Sequence, residues 1–164
     1  MNSTFSIPIK IENEKDLYDK FFPSGLSFSG ELTAYLEDYL EDRRIGESVS
    51  LELQASQMPD MEHFRNAFLA LAEKLIQRNK RQIRLADGKA LLYLLLGIAI
   101  LTVGIALVGR VDTIAAEIIS AAGSFALWSA ASTFIETLPT LRVKQKRLDI
   151  FSKAEIGYKA ITNP

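Results

Sequence analysis

Hydrophobic residues are concentrated in one part of this chain. Two long apolar runs, 90–108 and 114–138, are joined by the short connection 109–113. The first run has no charged residue, and as a helix rising about 1.5 Å per residue it nearly matches a hydrocarbon core of about 30 Å. The second run carries charges only near its ends, at Glu117 and Glu136. The pattern predicts a transmembrane helical hairpin. The alternative is a buried hairpin in a soluble domain, for which the rest of the chain is too short and too charged.

The residues before the hairpin alternate between strand and helix patterns. Period-2 alternation over Phe5–Ile11 and Val49–Ala55 predicts two strands. Between them, Ser29 is typical of a helix N-cap and begins a helical pattern that ends near residues 43–44. A second helix is predicted to begin at Pro59-Asp60 and to run almost continuously to about residue 108. The expected fold class is therefore an α+β membrane protein, with a small cytoplasmic βαβ-type head whose long helix continues into the membrane.

Three segments follow from this pattern. They are a cytoplasmic head and stalk helix over 1–88, the transmembrane hairpin over 89–138, and a basic cytoplasmic tail over 139–164. Two strands alone make a marginal sheet. We therefore expect another subunit or the tail to complete the sheet, the tail being a further short helix or a strand packed on the head.

Charge sets the expected orientation. The whole chain is nearly neutral, with 19 Lys and Arg against 20 Asp and Glu, but both flanks of the hairpin are basic and its loop has only Arg110 and Asp112. Lys and Arg near span ends favour the cytoplasmic side, so we expect both termini to be cytoplasmic. The flanking basic residues are also candidates for binding anionic lipid headgroups. They are Arg78, Lys80, Arg81, Arg84, Arg142, Lys144, Lys146 and Arg147.

Catalytic chemistry is poorly represented in the chain. It has no cysteine, and its one histidine, His63, lies on the polar side of a helix start. A serine triad needs a histidine partner, and a metal site needs several ligands at suitable spacing. The sequence thus predicts no cofactor and no metal, and an enzyme is the least favoured class.

The second apolar run has an unusual composition for a helix that faces lipid. It is rich in alanine, serine and glycine, and small residues let helices approach closely. At about 100° per residue, six polar or aromatic residues share roughly 160° of the helix surface. These candidate pore-lining residues are Glu117, Ser120, Ser124, Trp128, Ser132 and Glu136. Two interpretations stay open: tight packing against neighbouring helices, or a pore with a carboxylate ring at each mouth, which would favour cations.

The second half of the chain resembles a group of small bacterial two-span membrane proteins of unassigned function. The similar segments are 122–128 (AGSFALW), Ile135-Glu136, Pro139, the basic segment 142–148 and 154–156. The layout is also similar to the membrane effector of Hailong-type anti-phage defence, a small cytoplasmic head on membrane helices that form a channel held shut by a nucleotide oligomer. That resemblance implies a nucleotide or oligonucleotide ligand on the head, with Arg43, Arg44 and Arg65 as candidate phosphate contacts.

Three functional hypotheses follow. The first is a homo-oligomeric channel or pore-forming effector in the inner membrane, gated through its head. The second is a non-conducting membrane anchor or accessory subunit whose head recruits a cytoplasmic regulatory protein. The third, a membrane-bound hydrolase, requires a pocket of converging acids in the head.

Overall fold

The computed structural model describes residues 4–11, 17–19, 27–41, 48–55, 59–107 and 109–160. Their elements are, in chain order, β1 (Thr4–Ile11), α1 (Gly30–Glu41), β2 (Ser48–Ala55), α2 (Met61–Leu107), α3 (Thr113–Ser132), a π-helical turn (Thr133–Thr137), α4 (Leu138–Phe151) and β3 (Glu155–Ala160). The chain divides into two compact units. We call Met1–Asn79 with Val143–Pro164 the head, and Lys80–Arg142 the apolar unit.

The head contains a three-stranded parallel sheet in the order β1-β2-β3. Leu51 at its centre pairs with Ile7 on one side and Ile156 on the other. Burial alternates along β2, where Val49, Leu51, Leu53 and Ala55 are buried and the residues between them are half-buried. One face of the sheet is therefore apolar and covered, and we call the other, which carries the intervening polar residues, its open face.

Helices cover the apolar face of the sheet. Leu36 of α1 and Phe64 of α2 are fully buried in one hydrophobic cluster with the inner residues of β1 and β2. Phe151, at the end of α4, belongs to the same cluster, with its ring centroid 4.7 Å from that of Phe68 in an edge-on contact. Each fully buried aromatic ring of this kind contributes roughly 3 kcal/mol through apolar burial. The segment after the apolar unit is thus an integral part of the head core.

The strand and helix predictions for the head are confirmed in outline. Both predicted strands are present, α1 occupies the predicted helical segment, and α2 begins at Met61 and continues without interruption to Leu107. Of the two ways to complete the sheet, the chain uses its own later segment, since β3 pairs in parallel with β2. The segment 139–164, predicted as a basic tail, provides most of α4 and all of β3.

Local hydrogen bonds fix where the helices begin. The Ser29 hydroxyl accepts from the backbone N–H of Leu32 at 3.3 Å, which confirms the N-cap predicted for α1. Asp112 caps α3 in the same way, its Oδ1 accepting from the N–H of Ala115 at 2.8 Å. Before it, Gly109 has a φ of 79°, which residues with a side chain rarely adopt. The short connection between α2 and α3 is therefore a defined turn.

Candidate functional site

The apolar unit is the part of the chain with the clearest functional character. α2 and the helical segment Thr113–Phe151 are both long and apolar enough to cross a membrane. Only 11% and 17% of their most apolar stretches are buried within the chain. Leu92, Ile105, Ile118 and Phe125 are among the large apolar side chains left exposed. A core helix of a soluble domain would bury such residues, whereas lipid or neighbouring copies can cover them.

Glycines bring α2 and α3 close together. A Cβ atom built on Gly97 would lie 2.7 Å from Leu127 Cδ2 and 3.0 Å from the Leu127 backbone nitrogen. A Cβ on Gly123 would lie 2.7 Å from Leu101 Cγ. The two carbon–carbon distances of 2.7 Å are shorter than any that real Cβ atoms show. The two helices can therefore pack this closely only because Gly97 and Gly123 have no side chain. These contacts have the small-residue character of helix pairs in membranes.

The face of α3 that contacts α2 is small and well defined. Its buried residues are Gly123, Ala126 and Ala130. At about 100° per residue, the polar residues predicted for the pore lie roughly 150° away on the same helix. Most of the polar face is therefore left out of the packing between α2 and α3.

The structure leaves most of the candidate pore-lining residues accessible. Glu117, Ser120, Ser124, Trp128 and Glu136 are exposed, and Ser132 is half-buried. The Ser132 hydroxyl donates to Glu136 Oε2 at 3.1 Å, so the two residues at one end of the face are directly linked.

A π-helical turn alters the geometry at Glu136. Over Thr133–Thr137 the backbone is wider than an α-helix, and the N–H of Leu138 reaches back five residues to the carbonyl of Thr133. Pro139 follows immediately, and its ring would clash with the carbonyl four residues earlier in a regular helix. The wider turn accommodates the proline. Residues four apart are also neighbours in a regular α-helix, so the contact between Ser132 and Glu136 does not depend on the wider turn.

Several hydroxyls in the apolar unit are satisfied by their own helix. Thr102, Ser129 and Thr133 each donate to the carbonyl four residues before them, at 2.8 to 2.9 Å. Hydroxyl groups in hydrocarbon need a hydrogen-bond acceptor, and the carbonyl in the preceding turn provides one. The residues that favour assembly are therefore the exposed carboxylates with Ser120 and Ser124, and not the hydroxyl-bearing residues as a whole.

The predicted lipid-headgroup residues lie on two helices. Arg78, Lys80, Arg81 and Arg84 are exposed along α2, and on α4 Arg142 and Lys146 are exposed while Lys144 and Arg147 are half-buried. The guanidinium of Arg147 donates to the Leu40 carbonyl at 3.5 Å, which attaches it to the head.

A buried amide pair near these residues was not predicted from the sequence. Asn79 is only 2% exposed and donates through Nδ2 to Gln145 Oε1 at 3.0 Å. Gln145 in turn donates to Asp149 Oδ1 at 2.9 Å. The contact joins α2 to α4 inside the head. In the sequence Asn79 lies between Arg78 and Lys80, and nothing there distinguishes it from a solvent-exposed residue.

The candidate phosphate contacts on the head are only partly described. Arg43 and Arg44 lie outside the described residues. Arg65 is exposed on α2 and lines a cavity of about 670 Å³ together with Lys153. Glu62 and Glu155 line the same cavity, so its two cations are balanced by two anions. This cavity has no strong preference for an anionic ligand.

His63 lies against an aromatic ring of the head. The imidazole of His63 packs edge-on against Tyr18, with centroids 4.8 Å apart. Among the described residues, no three His, Asp or Glu side chains are grouped to hold a metal ion.

Comparisons with known proteins add no relative. No protein family, no curated protein and no solved structure matches this chain.

Proposed function

We propose that this chain is an integral membrane protein that assembles through α3 into a homo-oligomeric, cation-conducting channel controlled by its head. The observation that carries the proposal is the pair of opposite faces on α3. One face, of small residues, packs on α2, and the other presents carboxylates and serines to the exterior of the single chain.

Pairing of β2 with β3 supports a hairpin across the membrane. β2 precedes the apolar unit and β3 follows it, yet the two strands are hydrogen-bonded neighbours in the head. Both flanks of the apolar unit must then lie on the same side of a bilayer, which requires an even number of crossings. Two apolar helices satisfy that requirement. The basic residues of both flanks assign this side to the cytoplasm.

Exposed charge on α3 supports assembly. Glu117 and Glu136 would meet lipid or headgroups if the hairpin were alone, and charged residues in spanning helices are stable only when they face protein or water. Several copies arranged around a common axis would place these carboxylates in two rings with Ser120 and Ser124 between them. Carboxylate rings concentrate cations over anions. The resemblance to a defence effector adds a ligand-controlled head to this proposal.

Reconstituted protein tests the proposal directly. Purified full-length chain in liposomes should pass K⁺ or Na⁺ in preference to Cl⁻. Replacing Glu117 or Glu136 by Gln should lower the cation preference, and Ser124→Leu should reduce the flux. Ala122→Leu is the matched control, because Ala122 is exposed on α3 outside the polar face, and it should leave the flux unchanged.

Two results would contradict the channel. One is the absence of ion flux from protein that is folded and oligomeric in the liposomes. The other is a flux whose selectivity is the same in the wild type and in both Glu→Gln variants. An inactive protein that co-purifies with one soluble protein in fixed ratio would instead favour the membrane anchor.

A further inference from the structure

The two edges of the head sheet are protected differently. On the edge strand β1, Pro8 has no N–H to donate to a neighbouring strand. Its carbonyl is already occupied, because the Tyr35 hydroxyl of α1 donates to it at 2.7 Å. A proline and a side-chain cap at the middle of an edge strand both oppose the addition of another strand. The β1 edge is therefore closed.

The β3 edge has neither device. β3 has no proline, and within the described part of the chain it pairs only with β2. A lysine often protects such an edge, but Lys159 extends back across the open face to Glu52, with 3.2 Å between Nζ and Oε1. The backbone groups along the outer side of β3 are thus available for pairing.

The apolar side chains of β3 are also less buried than those of β2. Leu51 and Leu53 of β2 are completely buried, whereas their neighbours on the same face of β3, Ile156 and Tyr158, are only half-buried. The helical layer therefore leaves this edge of the apolar face incompletely covered. A further strand there would bury apolar surface as well as complete backbone hydrogen bonds.

We propose that a second copy of this chain occupies the edge, with the two β3 strands antiparallel about a two-fold axis through Gly157. The two heads would then share one continuous six-stranded sheet. Residues directly opposite in an antiparallel pair lie on the same face. In this register Glu155 lies opposite Lys159 of the second copy, and Ile156 lies opposite Tyr158 of the second copy, each pair occurring twice.

The sequence of β3 selects this register. Glu155 and Lys159 lie on the open face and are equally distant from Gly157, so each negative charge meets a positive one. In the dimer Lys159 would lie between Glu52 of its own chain and Glu155 of the second copy. A shift by two residues in either direction loses both ion pairs, and a shift by one residue places apolar residues opposite polar ones. Gly157 at the axis has no side chain to hold the strands apart. The contact does not depend on conduction through α3, but in a channel it would make the number of subunits even.

A cysteine at the axis tests the proposal in the full-length protein. The chain has no native cysteine. A Cβ at Gly157 has as its nearest neighbour the Leu51 carbonyl oxygen, at 3.9 Å, so Gly157→Cys fits the fold. Opposite residues in an antiparallel pair have Cα atoms about 4.5–5.5 Å apart, within the range of a disulfide. Mild oxidation of membranes containing Gly157→Cys should give a disulfide-linked dimer.

Ser6→Cys is the matched control, because Ser6 is exposed on the closed edge strand. It should give little dimer under the same conditions. Equal dimer yields at residues 6 and 157, or no dimer at residue 157, would overturn the proposal. So would a Gly157→Cys variant that cross-links to a different protein and not to itself.

Charge exchange in the Gly157→Cys background provides a second measurement. It tests the register of the two β3 strands, with the unexchanged cysteine variant as the reference. Glu155→Lys and Lys159→Glu, each added to Gly157→Cys, place like charges opposite each other twice in a homodimer. Each should lower the yield of self-linked dimer on the order of tenfold. Co-expressed with different tags, the two variants should form the mixed dimer at the parental yield, because both ion pairs are restored. Charge-exchanged chains that self-link as well as the parent would refute the register.

Discussion

Adding a methyl group to individual glycines of α2 tests the packing of the apolar unit. Gly97→Ala introduces a Cβ that would lie 2.7 Å from a side-chain carbon of Leu127 and 3.0 Å from its backbone nitrogen. Gly88→Ala is the matched change in the same helix, since no atom lies within 4 Å of its new Cβ. The two variants differ in the contact that the methyl group meets and not in its chemistry.

The structure gives the sign and size of the two effects. Replacing an open helical glycine by alanine gains up to about 1 kcal/mol of helix propensity. An overpacked methyl group costs about 1–3 kcal/mol. At Gly97 the Leu127 backbone nitrogen is one of the contacts, and a backbone atom cannot move aside as a side chain can. We therefore expect Gly88→Ala to be neutral or stabilising, and Gly97→Ala to be net destabilising by up to about 2 kcal/mol after the propensity gain. Gly104→Ala should fall between them, with Ile119 Cγ2 at 3.0 Å as its contact.

Trp128 makes the measurement direct. It is the one tryptophan in the chain and lies on α3. Its fluorescence during denaturation by SDS in mixed micelles reports unfolding of the apolar unit. Equal midpoints for Gly88→Ala and Gly97→Ala would refute the close approach of the helices at Leu127. A rescue experiment adds specificity, because Leu101→Ala should recover part of the loss caused by Gly123→Ala, whose clash involves the side chain of Leu101.

Three further predictions concern the head. Lys159 lowers the pKa of the Glu52 carboxyl through a hydrogen bond and its charge. The stability gained from this pair is therefore present above about pH 4.5 and is lost as pH falls through the lowered pKa. Wild type and Lys159→Ala should converge in thermal stability at acid pH, and a difference that is constant with pH would contradict the pairing. Phe151→Ala should destabilise the head by about 3–5 kcal/mol in a thermal unfolding experiment, because its ring is fully buried, and a loss under 1 kcal/mol would show that α4 is dispensable. Burial, followed by the effects of Tyr39, raises the pKa of Tyr35 to about 12. Tyrosinate absorbance of the folded wild type should therefore show one fewer group titrating near pH 10 than that of the unfolded wild type, and Tyr35→Phe should abolish this difference; a full complement at pH 10 in the folded wild type would refute this.

Local patterns predicted most of the individual elements. Alternation identified both early strands because their inner residues, such as Ile7 and Leu51, face one buried layer. Helical spacing identified α1 and the long α2, which contains no proline. These features depend on neighbours in sequence, and the chain displays them directly.

Local sequence patterns could not predict which residues that are distant in sequence pair with each other. Ile156 and Tyr158 are compatible with a helix or a strand, and only the edge of β2 decides in favour of a strand. The amide pair of Asn79 and Gln145 has no local signal, because each residue is ordinary in its own helix. The π-helical turn before Pro139 depends on backbone geometry that local patterns do not display.

The separation of β2 from β3 in the chain has a consequence for biosynthesis. The ribosome completes β3 only after both apolar helices have been made. In the membrane topology that we propose, the head could therefore close its sheet only after the intervening hairpin had returned to its starting side. A chain whose second helix failed to insert correctly would deliver β3 to the wrong compartment and leave Leu51 and Leu53 without their neighbours. Formation of the mature head would thereby serve as a check on membrane insertion, and incorrectly inserted chains would present an exposed core to cellular proteases.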